Sequence, residues 1–346
     1  MAKFCFLSVL FISTSISAQT EFFHSKINFS KDQLDKFYSS ISIDGAQIYF
    51  NANDYTVYAH NTKTGILNWS HYSGNKSNNA PKTHQNNVFV ESSGGKCEQL
   101  NAKTGELVQE ISLEEFSTQP IIKDTIMYCA AVSPQIGGAI LAYDLKNNHT
   151  VWQKYIGHGA TLQPYFFKDK IVANYENQYW FELDYNGNAL DKDSGCYYKT
   201  TEPPFEEQFC NIHYDLLNQY NKDILVKNVT IEETKYHYAK NATLILEGNI
   251  LKIVNEKNKV KKEIVLNKII TPLETGINNY KEILKVEENT VWFIYENMLG
   301  VYDFKNNKTI KTLDLSKWNP HKAILNGNNV WLISRNDGEL VGLKIE

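Results

Sequence analysis

A strand–turn–strand unit recurs along the chain at intervals near forty residues, and no other feature limits the possible folds as strongly. The segment VYAHNTKTGILNWS (Val57 to Ser70) aligns without gaps with CEQLNAKTGELVQE (Cys97 to Glu110) and with ILAYDLKNNHTVWQ (Ile140 to Gln153). Each copy has a polar pivot: Asn61, Asn101 and Asp144. Looser copies put Asp184, Asn255 and Asp303 in that place, and the closing ELVGLKIE stops where a seventh copy would turn, at Lys344.

Within a copy, alternate residues such as Val57 and Ala59, or Ile140 and Ala142, fall on one face of a strand with period two. The Asn or Asp pivot folds its short side chain back onto the backbone, and a Gly or Asn a few residues on supplies the positive φ that the turn needs. Gly65, Gly105, Asn148 and Asn307 fill that position, with Gly187 one place early in the fourth copy. Beyond the turn a further strand carries Trp69 and Trp152, each eight residues past its pivot. That spacing lets an indole pack between adjacent sheets, a structural role.

Successive pivots are 40, 43, 40, 71 and 48 residues apart, and a further 41 reaches Lys344. A four-stranded sheet with tight turns takes about 40–45 residues, the length of a propeller blade. The expected fold class is therefore all-β: a β-propeller of about seven four-stranded blades, forming one domain over 44–346. The long interval reads as an insertion at about 191–236, because a pivot at Asn228 would leave too few residues before Asn255. The last copy has no residues left for an outermost strand, so the segment 19–43 is expected to help close the ring. Without closure, two strand edges would face solvent and invite pairing between molecules. Ser30 and Gln33 stand where a helix cap and its box partner would, which suits a short helix over 31–38.

The first eighteen residues have one cation at Lys3, an apolar run from Phe4 to Ile12 and small residues up to Ala18. This is the layout of a secretory signal peptide, with Gln19 as the mature start. The run is shorter than the about twenty residues a membrane-spanning helix needs. Cys5 lacks the small-residue setting of a lipid-modified cysteine, so a soluble, secreted or periplasmic protein is expected, one able to associate with the cell envelope. A formal net charge of −4 gives no general attraction to nucleic acid or to an anionic membrane, and neither is expected as a partner.

Four cysteines follow the leader: Cys97, Cys129, Cys196 and Cys210. Three disulfide pairings are possible in an oxidising compartment. A Cys196–Cys210 bridge would close a loop of about fifteen residues and contribute about 3 kcal/mol, and Cys97 and Cys129 would then join neighbouring repeats.

The string VYAHNTKTGILNW resembles the PQQ-like, quinoprotein-type repeat, in which a strand ending in a small residue and an acidic or amide pivot is followed by a Lys-Thr-Gly turn and a tryptophan strand. LNAKTGELVQ is as close, apart from Gln109 in the tryptophan place. The resemblance covers most of Gly45 to Glu346 as architecture and is specific in the first three copies. It implies a propeller and leaves activity to be argued from a site, because one fold carries many functions. The family's dehydrogenases are longer, often hold adjacent cysteines over the cofactor, and use acidic and amide residues for calcium and proton abstraction. This chain has no adjacent cysteine pair, and the 328 residues after its leader resemble the smaller, non-enzymatic, BamB-like branch. The resemblance thus implies neither a cofactor nor catalytic residues.

Other chemistry is thinly signalled. The nine histidines are scattered, and none shows HExxH spacing. Asp191 and Asp193 alternate ahead of Gly195 and form a weak calcium candidate that lacks the downstream bidentate glutamate. SSGGK, Ser92 to Lys96, lacks the spacing of a P-loop and suits a hairpin. No GxSxG elbow is present. The functional expectation is an exported, non-catalytic scaffold that binds a protein partner through its loop faces. The alternatives are an exported immunity protein that neutralises a toxin, and a small-ligand or quinone-binding propeller enzyme.

Overall fold

Asn61, Asn101, Asp144, Asn255 and Asp303 each end a strand, and Asp184 follows one directly. At all six positions the side-chain Oδ1 accepts the backbone N–H two residues on, at 2.8–2.9 Å. A second N–H, three or four residues on, bonds to the same oxygen. The carboxamide or carboxylate therefore replaces a missing ladder partner and pins the hairpin. The structure is a computed structural model that describes residues 19–30, 39–74, 77, 79–92, 95–112, 115–116, 118–133, 137–157, 164–174, 180–190, 220–231, 233–270 and 280–345.

These hairpins lie in seven antiparallel sheets arranged as the blades of a propeller. Blade 1 consists of Ser40–Asp44, Gln47–Asn51, Thr56–Asn61 and Leu67–Tyr72, in spatial order. Blade 2 repeats this with Lys82–His84, Asn87–Ser92, Lys96–Asn101 and Leu107–Ser112. In blade 3 the first strand is broken into Glu115–Phe116 and Ile121–Lys123, both paired with Ile126–Ser133. Pro120, which has no N–H for the ladder, stands in the break. Gly137–Asp144 and His149–Gly157 complete that blade. Blade 6 is Lys281–Glu287, Thr290–Tyr295, Met298–Asp303 and Lys308–Asp314.

Two blades depart from four strands. Blade 4 has Tyr165–Phe166, Ile171–Asn174 and Trp180–Leu183 among the described residues. Blade 5 has five strands, because Asn228–Ile231 adds to Thr234–Tyr238, ahead of Ala242–Glu247, Ile250–Asn255 and Val260–Val265. The last part of the stretch read as an insertion, from Asn228 onward, therefore belongs to a blade. Residues 191–219, and with them Cys196, Cys210, Asp191 and Asp193, lie outside the described residues, as do residues 1–18 and the helix expected over 31–38.

Blade 7 joins the two ends of the described chain. Pro320–Asn326, Asn329–Ser334 and Leu340–Ile345 form three strands, and Gln19–His24 adds the fourth, with Gln19 opposite Ile345 and His24 opposite Val341. Just after this strand the buried Glu339 accepts hydrogen bonds from Ser25 Oγ, from Ile27 N at 2.7 Å and from Asn28 N at 3.0 Å.

Period-two alternation decides which neighbour each residue meets. Val88 and Val90 face back to Tyr49, Ala59 and Trp69 of blade 1, whereas Phe89 and Cys97 face forward to Met127, Cys129 and Leu141 of blade 3. Equivalent clusters link blades 3 and 4, 4 and 5, 5 and 6, and 6 and 7. The last sets Trp331, Ile333 and Leu340 of blade 7 against Ile41, Ile48 and Phe50 of blade 1. Burying one such side chain contributes about 1.5–3 kcal/mol, so each interface is a core in its own right and the circle of interfaces is complete.

Candidate functional site

The ring is stiffened by side chains that cross from one blade's outer strand to the next blade's turn. Trp69 donates from Nε1 to the carbonyl of Ala102 at 2.9 Å, and Trp152 donates to the carbonyl of Tyr185 at 3.1 Å. Both acceptors directly follow a pivot. Both rings fill the space that a Cβ on the turn glycine would need, 2.6 Å from Trp69 Cδ2 at Gly105 and 2.7 Å from Trp152 Cδ2 at Gly187. Phe23 on the closing strand takes the same place over Gly65. Gln109, in the tryptophan place of blade 2, instead bonds within its own blade to Gln99 Oε1 at 2.7 Å. Sequence reasoning missed the blade 5 version: Lys262 donates to the carbonyl of Phe304, the residue after the pivot Asp303, and to Asn307 Oδ1. The pairing is consistent: an aromatic ring meets glycine in the next turn, and the lysine meets Asn307.

The pivots, turn glycines and tryptophans singled out in the sequence therefore sit in the frame of the disc, away from its axis. Hydrogen bonds from Asn147 and Lys146 hold the Asp144 carboxyl below the ordinary aspartate range, and bonds from Asn306 and Lys305 do the same at Asp303. At Asp184 partial burial works upward, but bonds from Asn188 and Asn186 prevail and the carboxyl is again lowered. Cys97 and Cys129 are free thiols, fully buried in the core between blades 2 and 3, where the expected pairing would have joined them. Burial pushes both thiols up, as expected of inert core residues. Among the described residues no group of three His, Cys, Asp or Glu side chains is placed to hold a metal ion. Nor is any described helix long and apolar enough to cross a membrane.

Two surfaces among the described residues could meet another molecule. At one end of blade 1, Tyr55 and Tyr72 project into solvent, Tyr72 with 69% of its surface exposed. Ser73 N–H bonds to the Tyr55 carbonyl at 3.0 Å and holds the two segments together. Tyr55 has φ 64°, a left-handed conformation that is an outlier for a bulky side chain, and Asp54 Oδ1 fixes the turn by accepting Thr56 N–H at 3.0 Å.

The second surface is the axial channel. The inner strands enclose a cavity of about 360 Å³, lined among others by Asn228 and Thr230 of the extra blade 5 strand, Glu282 of blade 6, Lys322 of blade 7 and Ser40 of blade 1. Lys235 stands beside it and donates to Thr230 Oγ1 at 3.1 Å. Burial pushes the Glu282 carboxyl up against the pull of Lys235 and Lys322. Burial also pushes Lys235 down, with Glu282 opposing and Lys322 adding to the effect. His237, bonded to Asn228 Oδ1 at 2.6 Å, is lowered to about 4 by burial and by Lys227. His321 is lowered to about 4 by burial, Arg335 and Lys322. Sequence reasoning could not have assembled these groups, because they come from separate blades.

Seven interlocked antiparallel sheets, with an axial channel and loops on two faces, define a β-propeller. Residues 25–115, which hold its first two blades, match the family described as outer membrane protein assembly factor BamB. Among solved structures, the computationally designed Ika8 protein is similar, with TM-score 0.56 and 14% identity over 89% of this chain and 97% of that one. BamB from Moraxella catarrhalis gives TM-score 0.45 and 12% identity, over 89% of this chain and 82% of that one. No curated protein matches the chain.

Proposed function

We propose that this protein is an exported, non-catalytic scaffold that holds a protein partner through the loop face bearing Tyr55 and Tyr72. One observation carries the reading: a solvent-exposed tyrosine is held at φ 64°. A left-handed L-residue costs about 1–2 kcal/mol, and glycine would avoid that cost. Strain of this kind collects at binding sites. Tyrosine also supplies large contact area with few rotatable bonds, which is why it is enriched at interface hot spots. A stiff disc that presents loops is a common binding platform. The match of the first two blades to a family described as an assembly factor supports a role in holding other proteins.

The test is affinity capture of the mature protein from its native cells, followed by direct binding of the captured partner to purified protein. Tyr55→Gly combined with Tyr72→Ala is expected to weaken that binding at least tenfold while leaving the unfolding free energy within about 1 kcal/mol of wild type. Tight binding by the double variant would reject this face. Turnover of a bound quinone in a redox-dye assay would reject the non-catalytic reading.

A further inference from the structure

We propose that the axial channel is a binding site for a short aliphatic monocarboxylate, its carboxylate seated on Lys322 and Lys235. The first ground is charge. Lys322 and Glu282 line the cavity, Lys235 bonds to its lining residue Thr230, and the Glu282 carboxylate feels both ammonium groups. One unbalanced positive charge in partly desolvated surroundings is unfavourable, and a single bound anion neutralises it.

The second ground is shape and lining. A cavity of about 360 Å³ lies at the low end of the roughly 300–1,000 Å³ range of small-ligand sites. Leu284, Ile324 and Ile41 line the cavity beside Glu282, Lys322 and Ser40 and suit a hydrocarbon tail, while Asn228 and Thr230 of blade 5 offer polar atoms to the headgroup. The extra strand Asn228–Ile231 is what brings those polar atoms into the channel, so this site depends on the strand that blade 5 adds to the usual four.

The probe is sodium hexanoate, titrated calorimetrically into the full-length mature protein at constant ionic strength, with sodium chloride and hexylammonium chloride as controls. Saturable 1:1 binding of hexanoate is expected, with none by hexylammonium. Lys322→Met is expected to weaken binding at least tenfold, and Lys146→Met, in an exposed turn of blade 3, to leave it unchanged. Glu282→Gln is expected to tighten binding, because it removes the charge that competes for the two lysines. If Lys322→Met does not fold, Lys235→Met provides the same comparison. Heats no larger than those of chloride, equal binding by hexylammonium, tighter binding of inorganic phosphate than of hexanoate, or undiminished binding by the lysine variants would each overturn the assignment.

Discussion

The Trp69 indole stands on the turn of the neighbouring blade, its Nε1 proton on the Ala102 carbonyl at 2.9 Å and its ring in the space that a side chain on Gly105 would occupy. One residue thus makes a polar and an apolar contact across a blade boundary. Both depend on Gly105 having no Cβ, and its φ of +74° is likewise a glycine conformation.

Gly105→Ala is expected to cost about 3 kcal/mol, combining the left-handed penalty with overpacking against Trp69. Adding Trp69→Ala to it should cost less than the sum of the two single changes, because the clash disappears with the ring. Urea denaturation of the single and double variants measures the coupling. Additive values would show that the ring and the glycine are independent.

At the blade 5–6 boundary, Lys262 makes only the polar half of that contact, and Asn307 occupies the turn. Lys262→Trp alone is expected to destabilise by about 1–2 kcal/mol, since the indole meets the Asn307 side chain. Combined with Asn307→Gly, it is expected to regain at least the whole loss, as thermal unfolding would register.

Glu339 is buried and gathers three donors from the segment just after the closing strand. Glu339→Ala leaves those donors unpaired and is expected to cost about 3 kcal/mol. The first consequence should be local, so limited proteolysis is expected to cut between residues 19 and 30 in the variant under conditions in which wild type resists.

His237 and His321 have folded-state pKa values near 4, below the ordinary histidine value. Their folded forms resist protonation, so the stability they contribute is present in full above about pH 6.5 and is lost as pH falls from there toward 4. The turn carboxylates of Asp144, Asp184 and Asp303 are lowered as well, and their contribution is lost only below the ordinary aspartate value. Urea midpoints measured from pH 7 to 4 should therefore decline, and His237→Gln with His321→Gln should flatten that upper part of the curve.

What could be read from the sequence was local in origin. A pivot, its turn residue and the following tryptophan lie within nine residues, so each unit announces itself and the repeat length gives the blade count. The lysine at 262 carried no such signal, because its role depends on Phe304, forty-two residues away. The fifth strand of blade 5 was hidden in a stretch without a pivot. Its β character is four residues long, and only tertiary pairing with Thr234–Tyr238 fixes it. The charges around the channel come from blades 5, 6 and 7 and become neighbours only when the circle is formed. Free thiols at Cys97 and Cys129 were equally out of reach, since an even cysteine count says nothing about the relative placement of two core strands.

The pairing of Gln19–His24 with Leu340–Ile345 sets an order of events during synthesis. The first of these strands leaves the ribosome without a mate and must wait for the last to emerge, a delay of tens of seconds at usual elongation rates. Phe22, whose ring partner in the finished protein is Trp331, stays uncovered for that interval, whereas His60, which meets Phe23, emerges early. Closure of the wheel is thus a late step, and a molecule that recognises the closed wheel cannot capture the chain before Leu340–Ile345 has emerged.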